Sequence, residues 1–270
     1  MVDAAANFTG SIPEYYDSCL GPAWFDAFAE DLAARLPARP PGDVLEIACG
    51  TGIVTRRLRE RLNPAVRLVA SDLSKAMLDF ARSKLADLKG IEWREADAAN
   101  LPFGDDGFGA VVCGFGVMYV PDKRAVMREA RRVLRKGGSL LFNVWDRIEQ
   151  NPHGAVNAEV IEGLFPGDEE IRFRIPYGMY DSELLRQLLA AARFQELRIE
   201  KKHVQVHGVS ARNIAIGQIR GTPRSLLIEK RGVSLDEVIT KVTGALAKVG
   251  GADPYSGPAN AIVIEARADV

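Results

Sequence analysis

The residues best placed to do chemistry are three carboxylates and a pair of glycines. Glu46 stands in an apolar run that leads into Ala48-Cys49-Gly50-Thr51-Gly52. Glycines separated by one residue let the backbone turn sharply and admit a ligand where a Cβ would stand. The free N–H groups of a helix beginning near Thr51 point into the same space. Asp72 follows about twenty residues later, the distance at which a carboxylate grips a ribose diol. Asp97 follows a third apolar segment, where a carboxylate meets an adenine amino group. The third glycine of G-x-G-x-x-G is replaced by Thr55, and the turn holds no Lys or Arg. An adenosine carrying positive charge therefore fits this set better than a pyrophosphate. Each residue also has a plainer role: Glu46 as an anchor for the turn, Asp72 as a helix cap, Asp97 as a turn residue, Met77 as core.

These groups need a sheet to hold them. Val44–Ala48 reads as a buried strand and Ile53–Leu62 as its helix. A strand at Arg67–Ser71 precedes a helix capped by Ser74 and running to Lys89. Strands follow at Ile91–Arg94, Ala110–Cys113 and Ser139–Val144, with a helix at Lys123–Leu134 ending at Gly137-Gly138. The alternation predicts a Rossmann-like, doubly wound α/β sheet, mostly parallel, with helices on both faces. Strands at Glu196–Val206 and Ala261–Ala266 are expected to close it as an antiparallel pair, with helices at Ser182–Ala192 and Val233–Val249. The chain reads as a single domain over 1–270. Residues 1–40 form an N-terminal helical cap or lid, and residues 147–180 an inserted substrate-side segment. Residues 1–12, small and polar, are expected to be poorly ordered. Trp24, Phe25, Phe28, Leu32 and Leu36 recur at helical spacing beyond them.

Together these motifs resemble a class I S-adenosylmethionine-dependent methyltransferase, in the branch of the ubiquinone/menaquinone C-methyltransferases. The likeness is strongest over residues 13–145. It includes Leu101-Pro102-Phe103 through Cys113, and Arg128-Glu129-Ala130 through Gly137-Gly138. The resemblance implies that Glu46, Ala48, Gly50, Thr51 and Gly52 hold the methionine end of the cofactor. It assigns Asp72 to the ribose, Leu73 and Met77 to the adenine face, and Asp97 and Ala98 to its edge. Cys113, at the end of the fourth strand, completes the cofactor set. Gly114 departs from the pattern, since relatives often carry a polar residue there. Pro176-Tyr177-Gly178 and Arg220-Gly221-Thr222-Pro223 look like segments of relatives that give no substrate.

The expected cofactor is S-adenosyl-L-methionine, leaving as S-adenosyl-L-homocysteine, and the expected reaction is in-line methyl transfer to a small molecule. Tyr15, Tyr16, Trp24, Phe115, Met118, Tyr119, Trp145, Tyr177 and Tyr180 are the candidate pocket residues, in keeping with an apolar or planar acceptor. No catalytic residue is assigned; His153 is the best of three histidines for a general base. His203 and His207 share a strand face and are expected at the surface. A nicotinamide-dependent oxidoreductase and a non-catalytic cofactor-binding protein are the alternatives. Lys+Arg 35 against Asp+Glu 36, with no basic run, opposes nucleic-acid or membrane-surface binding. Three scattered cysteines point to reduced thiols, with no disulfide and no metal. The N-terminus lacks a signal-peptide pattern and no apolar run approaches ~18 residues, so a cytoplasmic monomer or homodimer is expected.

Overall fold

The computed structural model describes residues 8–171 and 174–269. Residues 1–7, most of the segment expected to lack order, lie outside the described residues. Ile12, by contrast, is buried and opens the first helix.

Among the described residues seven strands, β1 (Asp43–Glu46), β2 (Leu68–Asp72), β3 (Ile91–Glu95), β4 (Phe108–Gly114), β5 (Leu134–Trp145), β6 (Phe194–Val209) and β7 (Tyr255–Ala268), form one sheet ordered 3-2-1-4-5-7-6. β1 to β5 pair in parallel, and β7 runs antiparallel between β5 and β6. The order reverses at β1, leaving a crevice beyond the carboxyl ends of β1 and β4, where open α/β sheets take ligands. The helices are α1 (Ile12–Tyr15), α2 (Asp26–Ala34), α3 (Ile53–Arg61), α4 (Lys75–Lys84), α5 (Lys123–Val133), α6 (Pro152–Leu164), α7 (Ser182–Ala191), α8 (Ala211–Arg220), α9 (Arg224–Lys230) and α10 (Leu235–Gly250).

Strand alternation sends neighbouring residues to opposite faces. Val44, Leu68, Ala110 and Val112 pack on Leu32 and Leu36 at the end of α2 and on Leu58 of α3. Leu45, Val69 and Val111 face the other core with Val126 and Ala130 of α5 and Leu185 of α7. Of the remaining helices, α4 packs against β2 and β3, α8 against α10 and the segment Tyr16–Phe25, and α6 against α10.

Several boundaries differ from those read off the sequence. Tyr16–Phe25 is a π-helix, with the Asp26 N–H bonded to Gly21 O. Pro22, inside it, has no N–H to give to a regular ladder, and the wider turn accommodates the missing donor. β1 stops at Glu46 because Ala48 takes a left-handed backbone, φ 50°. α4 ends at Lys84, short of Lys89, as Leu85 leaves helical geometry. α5 gives way directly to β5 at Leu134, and β6 and β7 are longer than expected. α8 and α9 were not anticipated. Among the described residues no helix is long and apolar enough to cross a membrane.

Candidate active site

The turn after β1 is built from alternating left-handed residues: Ala48, Gly50 and Gly52 have φ of 50°, 54° and 77°. Gly52 also lies against α4, where a Cβ would sit 3.0 Å from Leu85 Cδ1 and 3.2 Å from Ala81 Cβ. The turn is pinned from β2, with Cys49 N–H donating to Ser71 O and Ser71 Oγ–H to Glu46 O, both at 2.9 Å. Gly50 N–H donates to Asp72 Oδ2 and Ser74 N–H to Asp72 Oδ1, both at 2.8 Å. Asp72 thus ties the glycine turn to the start of α4, which Ser74 caps by accepting from Met77 N–H.

These elements enclose a cavity of about 470 Å³. Among the expected cofactor residues, Glu46, Ala48, Gly50, Thr51, Asp72, Leu73, Met77, Asp97 and Ala98 line it. Gly52 and Cys113 do not; Gly52 shapes the turn and Cys113 is fully buried behind it. Leu73 is 53% exposed at the rim. Asp97 is fixed by its own turn, its Oδ1 accepting from Ala99 N–H at 2.8 Å.

The acids are held out of water. Burial pushes Glu46 up to about 8; the dipoles of Thr55 oppose this, and the Asp72 charge adds to it. Glu46 Oε2 has no hydrogen-bond partner among the described residues. Burial also raises Asp72, against the N–H groups of Ser74, Gly50 and Leu73. An orphaned buried carboxylate oxygen facing a cavity is the place for a cation or a hydrogen-bond donor.

The aromatic candidates separate into groups. Tyr16, Phe115 and Tyr119 line the large cavity. Tyr15 does not: it turns toward α8, with Arg220 5.8 Å above its ring. Trp24, Trp145 and Tyr177 line a second cavity of about 70 Å³, and Tyr16 and Tyr119 border both. Met118 lines neither cavity and is core. Tyr180, largely exposed, lies under Arg147 and likewise lines neither. Trp145 joins the cluster, with ring centroids 4.5 Å from Phe115, 5.5 Å from His153 and 6.0 Å from Trp24. His153 stacks on Trp24 at 4.2 Å, and burial brings its pKa down to about 3. His203 and His207 are exposed on β6.

Sequence reasoning passed over Phe8, Phe25, Asn143, Asn157, Gln218 and Arg224, which line one or both cavities. Asn143 Oδ1 accepts from Phe115 N–H at 2.9 Å and holds that residue at φ 55°. Phe8 lies edge-on to both Tyr16 and Tyr119, and its carbonyl accepts from Ser74 Oγ at 2.8 Å. The signal for Arg224 was its place directly after Arg220-Gly221-Thr222-Pro223; a lone asparagine or glutamine gives none.

Residues 44–138 match the family described as a methyltransferase domain. That stretch is 95 of the 270 residues. Over 106 residues it is 40% identical to a ubiquinone/menaquinone biosynthesis C-methyltransferase of Hahella chejuensis, covering 38% of this chain and 43% of that protein. A 2-phytyl-1,4-naphtoquinone methyltransferase of Synechococcus elongatus is 36% identical over 110 residues, 39% of this chain and 47% of its own. The chain thus spans less than half the length of these relatives. A crystal structure of a putative methyltransferase from Bacillus halodurans superposes with a TM-score of 0.58 at 21% identity, over 91% of this chain and 99% of its own. Phosphoethanolamine N-methyltransferase 2 of Haemonchus contortus, solved with S-adenosyl-L-methionine, gives 0.61 at 16% identity, over 96% and 57%. At such identities the likeness is one of fold.

Proposed function

We propose that the chain transfers a methyl group from S-adenosyl-L-methionine to a planar, largely apolar small molecule of the quinone or quinol kind. One observation carries the reading. Glu46, Asp72, Asp97 and Asp122 line the large cavity, and no Lys, Arg or His does among the described residues. Such a wall repels pyrophosphate and attracts a ligand bearing sulfonium and ammonium charges. The unpartnered Glu46 Oε2 suits the ammonium. Asp72 suits the ribose hydroxyls, Asp97 and Ala98 the adenine edge, and Leu73 and Met77 its face.

The cofactor supplies an activated methyl on a positively charged sulfur. What remains for the protein is to orient the acceptor and exclude water. The smaller cavity takes the acceptor ring among Trp24, Trp145 and Tyr177, and Tyr16 and Tyr119 stand between it and the cofactor. Tyr16, Leu20 and Trp24 of the lid and His153, Asn157 and Tyr177 of the insert wall this space, and α8 and α9 contribute Gln218 and Arg224. His153, with its low pKa, is a poor base near neutral pH; the enzyme works by alignment. It acts in the cytoplasm as a monomer or homodimer, without nucleic acid.

Calorimetry with S-adenosyl-L-homocysteine and with NADH tests the cofactor, and labelled methyl transfer to 1,4-naphthoquinol tests the acceptor. Binding of the first ligand alone, with label appearing in the quinol, is expected. Binding of NADH in its place would overturn the reading.

A further inference from the structure

The smaller cavity holds a chain of polar side chains whose direction is set from one end. Arg224, 6% exposed, donates through Nη1 to Asn157 Oδ1. A guanidinium has no acceptor, so the oxygen of Asn157 must face it. The Asn157 amide nitrogen then faces away and donates to Gln218 Oε1 at 2.7 Å. That leaves the Gln218 amide nitrogen toward His153, where it lies 3.0 Å from the backbone oxygen and 3.4 Å from Nδ1. Facing a donor, His153 Nδ1 is the acceptor, and the ring proton belongs on Nε2.

His153 is 1% exposed and lines the cavity, and its Nε2 has no hydrogen-bond partner among the described residues. A buried N–H left unpaired costs stability unless a ligand or water completes it. We propose that the relay from Arg224 through Asn157 and Gln218 presents His153 Nε2–H as a donor to an oxygen of the methyl acceptor. The acceptor is then a planar molecule with a carbonyl or phenolic oxygen, held by that oxygen while its ring lies among Trp24, Trp145 and Tyr177. Burial keeps the imidazole neutral, so the donor persists across the physiological range. His153 is a substrate-binding group here, and Gln218 a positioning residue. The identity of the ligand as methyl acceptor rests on the methyltransferase reading; the tautomer does not.

The test uses full-length protein with ¹⁵N-labelled histidine, saturated with S-adenosyl-L-homocysteine; exposed His203 and His207 serve as internal references. Nitrogen shifts should show His153 as the neutral Nε2–H form from pH 5 to 8. Adding 1,4-naphthoquinone should move the Nε2 signal, and naphthalene, with the same ring and no oxygen, should not. His153→Phe, which keeps a ring on Trp24, should weaken naphthoquinone binding about tenfold, the worth of roughly one hydrogen bond. His153→Gln, which restores an N–H near the same point, should recover most of it. Gln218→Leu should release the tautomer and weaken the probe comparably. An Nδ1–H form, equal responses to the two probes, or an unmoved signal (a buried water only) would overturn the proposal. If S-adenosyl-L-homocysteine binds normally in the same sample, only this inference falls; if it does not bind, the methyltransferase reading falls, and the tautomer still decides the relay.

Discussion

Asp72 accepts from the backbone N–H of Gly50, which reaches it from the end of the neighbouring strand at 2.8 Å. The carboxylate therefore has two duties, holding the turn and facing the cavity. Asp72→Ala should strand the partly buried N–H groups of Gly50 and Ser74, costing about 2 kcal/mol, near the lower end for two unsatisfied donors. Asp72→Asn keeps the shape but presents an NH₂ to one of those donors. We expect Asp72→Ala to lower thermal stability and to abolish measurable S-adenosyl-L-homocysteine binding. Asp72→Asn should weaken binding at least tenfold with a smaller stability loss. Equal affinity for wild type and Asp72→Asn in calorimetry would remove the ribose from this residue.

Glu46 links cofactor binding to pH. Its carboxyl titrates at about 8 in the ligand-free protein, so it is mostly protonated at pH 7. An ammonium group beside Oε2 favours the carboxylate, so binding should release up to one proton at pH 7. Affinity should rise up to about tenfold per pH unit from 6 to 7.5 and level off above 8. Calorimetry in buffers of different ionisation enthalpy measures the release directly; proton uptake on binding would contradict the assignment. Stability runs the other way. The unfolded carboxyl ionises near 4.5 and the folded one near 8, so the native state loses up to about 1.4 kcal/mol per pH unit as pH rises between them. Glu46→Gln should flatten both trends.

The parts of the molecule legible in the sequence are those where local chemistry and global fold ask for the same residue. Glycines 50 and 52 occupy left-handed backbone, and Asp72 ends a fully buried strand; spacing alone exposes both. The parallel half of the sheet follows from its apolar runs. The smaller cavity was much less legible. Asn157, Gln218 and Arg224 lie on three separate helices, α6, α8 and α9, and they meet where α8 packs against both α6 and α9. No periodicity announces a hydrogen-bond relay between residues 61 and 67 apart. Tyr15 and Tyr16 show the same limit: adjacent in sequence, they leave the helix in different directions, one to Arg220 and one to the cavity.

The Ser74 hydroxyl both caps α4 and donates to Phe8 O, tying down a residue that lines the large cavity. Ser74→Ala removes both bonds, whereas Ser74→Asp keeps a capping acceptor and repels the Phe8 carbonyl. Loss of the cap should cost Ser74→Ala about 1 kcal/mol. If Phe8 acts as a strap, both variants should release S-adenosyl-L-homocysteine several-fold faster in stopped-flow displacement. Faster release by Ser74→Ala alone would assign the effect to the helix cap.

Gly154 lies so close to Tyr177 that a Cβ on it would overlap the phenol hydroxyl. Its helical backbone suits alanine, so the constraint is the neighbouring ring, not conformation. Gly154→Ala should force Tyr177 away from Trp145, whose ring is 6.2 Å from it, and overpack the wall of the smaller cavity. Overpacking of this kind costs about 1–3 kcal/mol, visible as a lower melting temperature. Because Gly154 and Tyr177 line only the smaller cavity, S-adenosyl-L-homocysteine should bind with near-normal affinity while 1,4-naphthoquinone binds much more weakly. Adding Tyr177→Phe removes the atom in closest conflict and should restore part of the stability, leaving the rest because the ring itself remains near. A Gly154→Ala protein that loses cofactor and acceptor binding equally would mean that the two cavities do not divide the ligands between them.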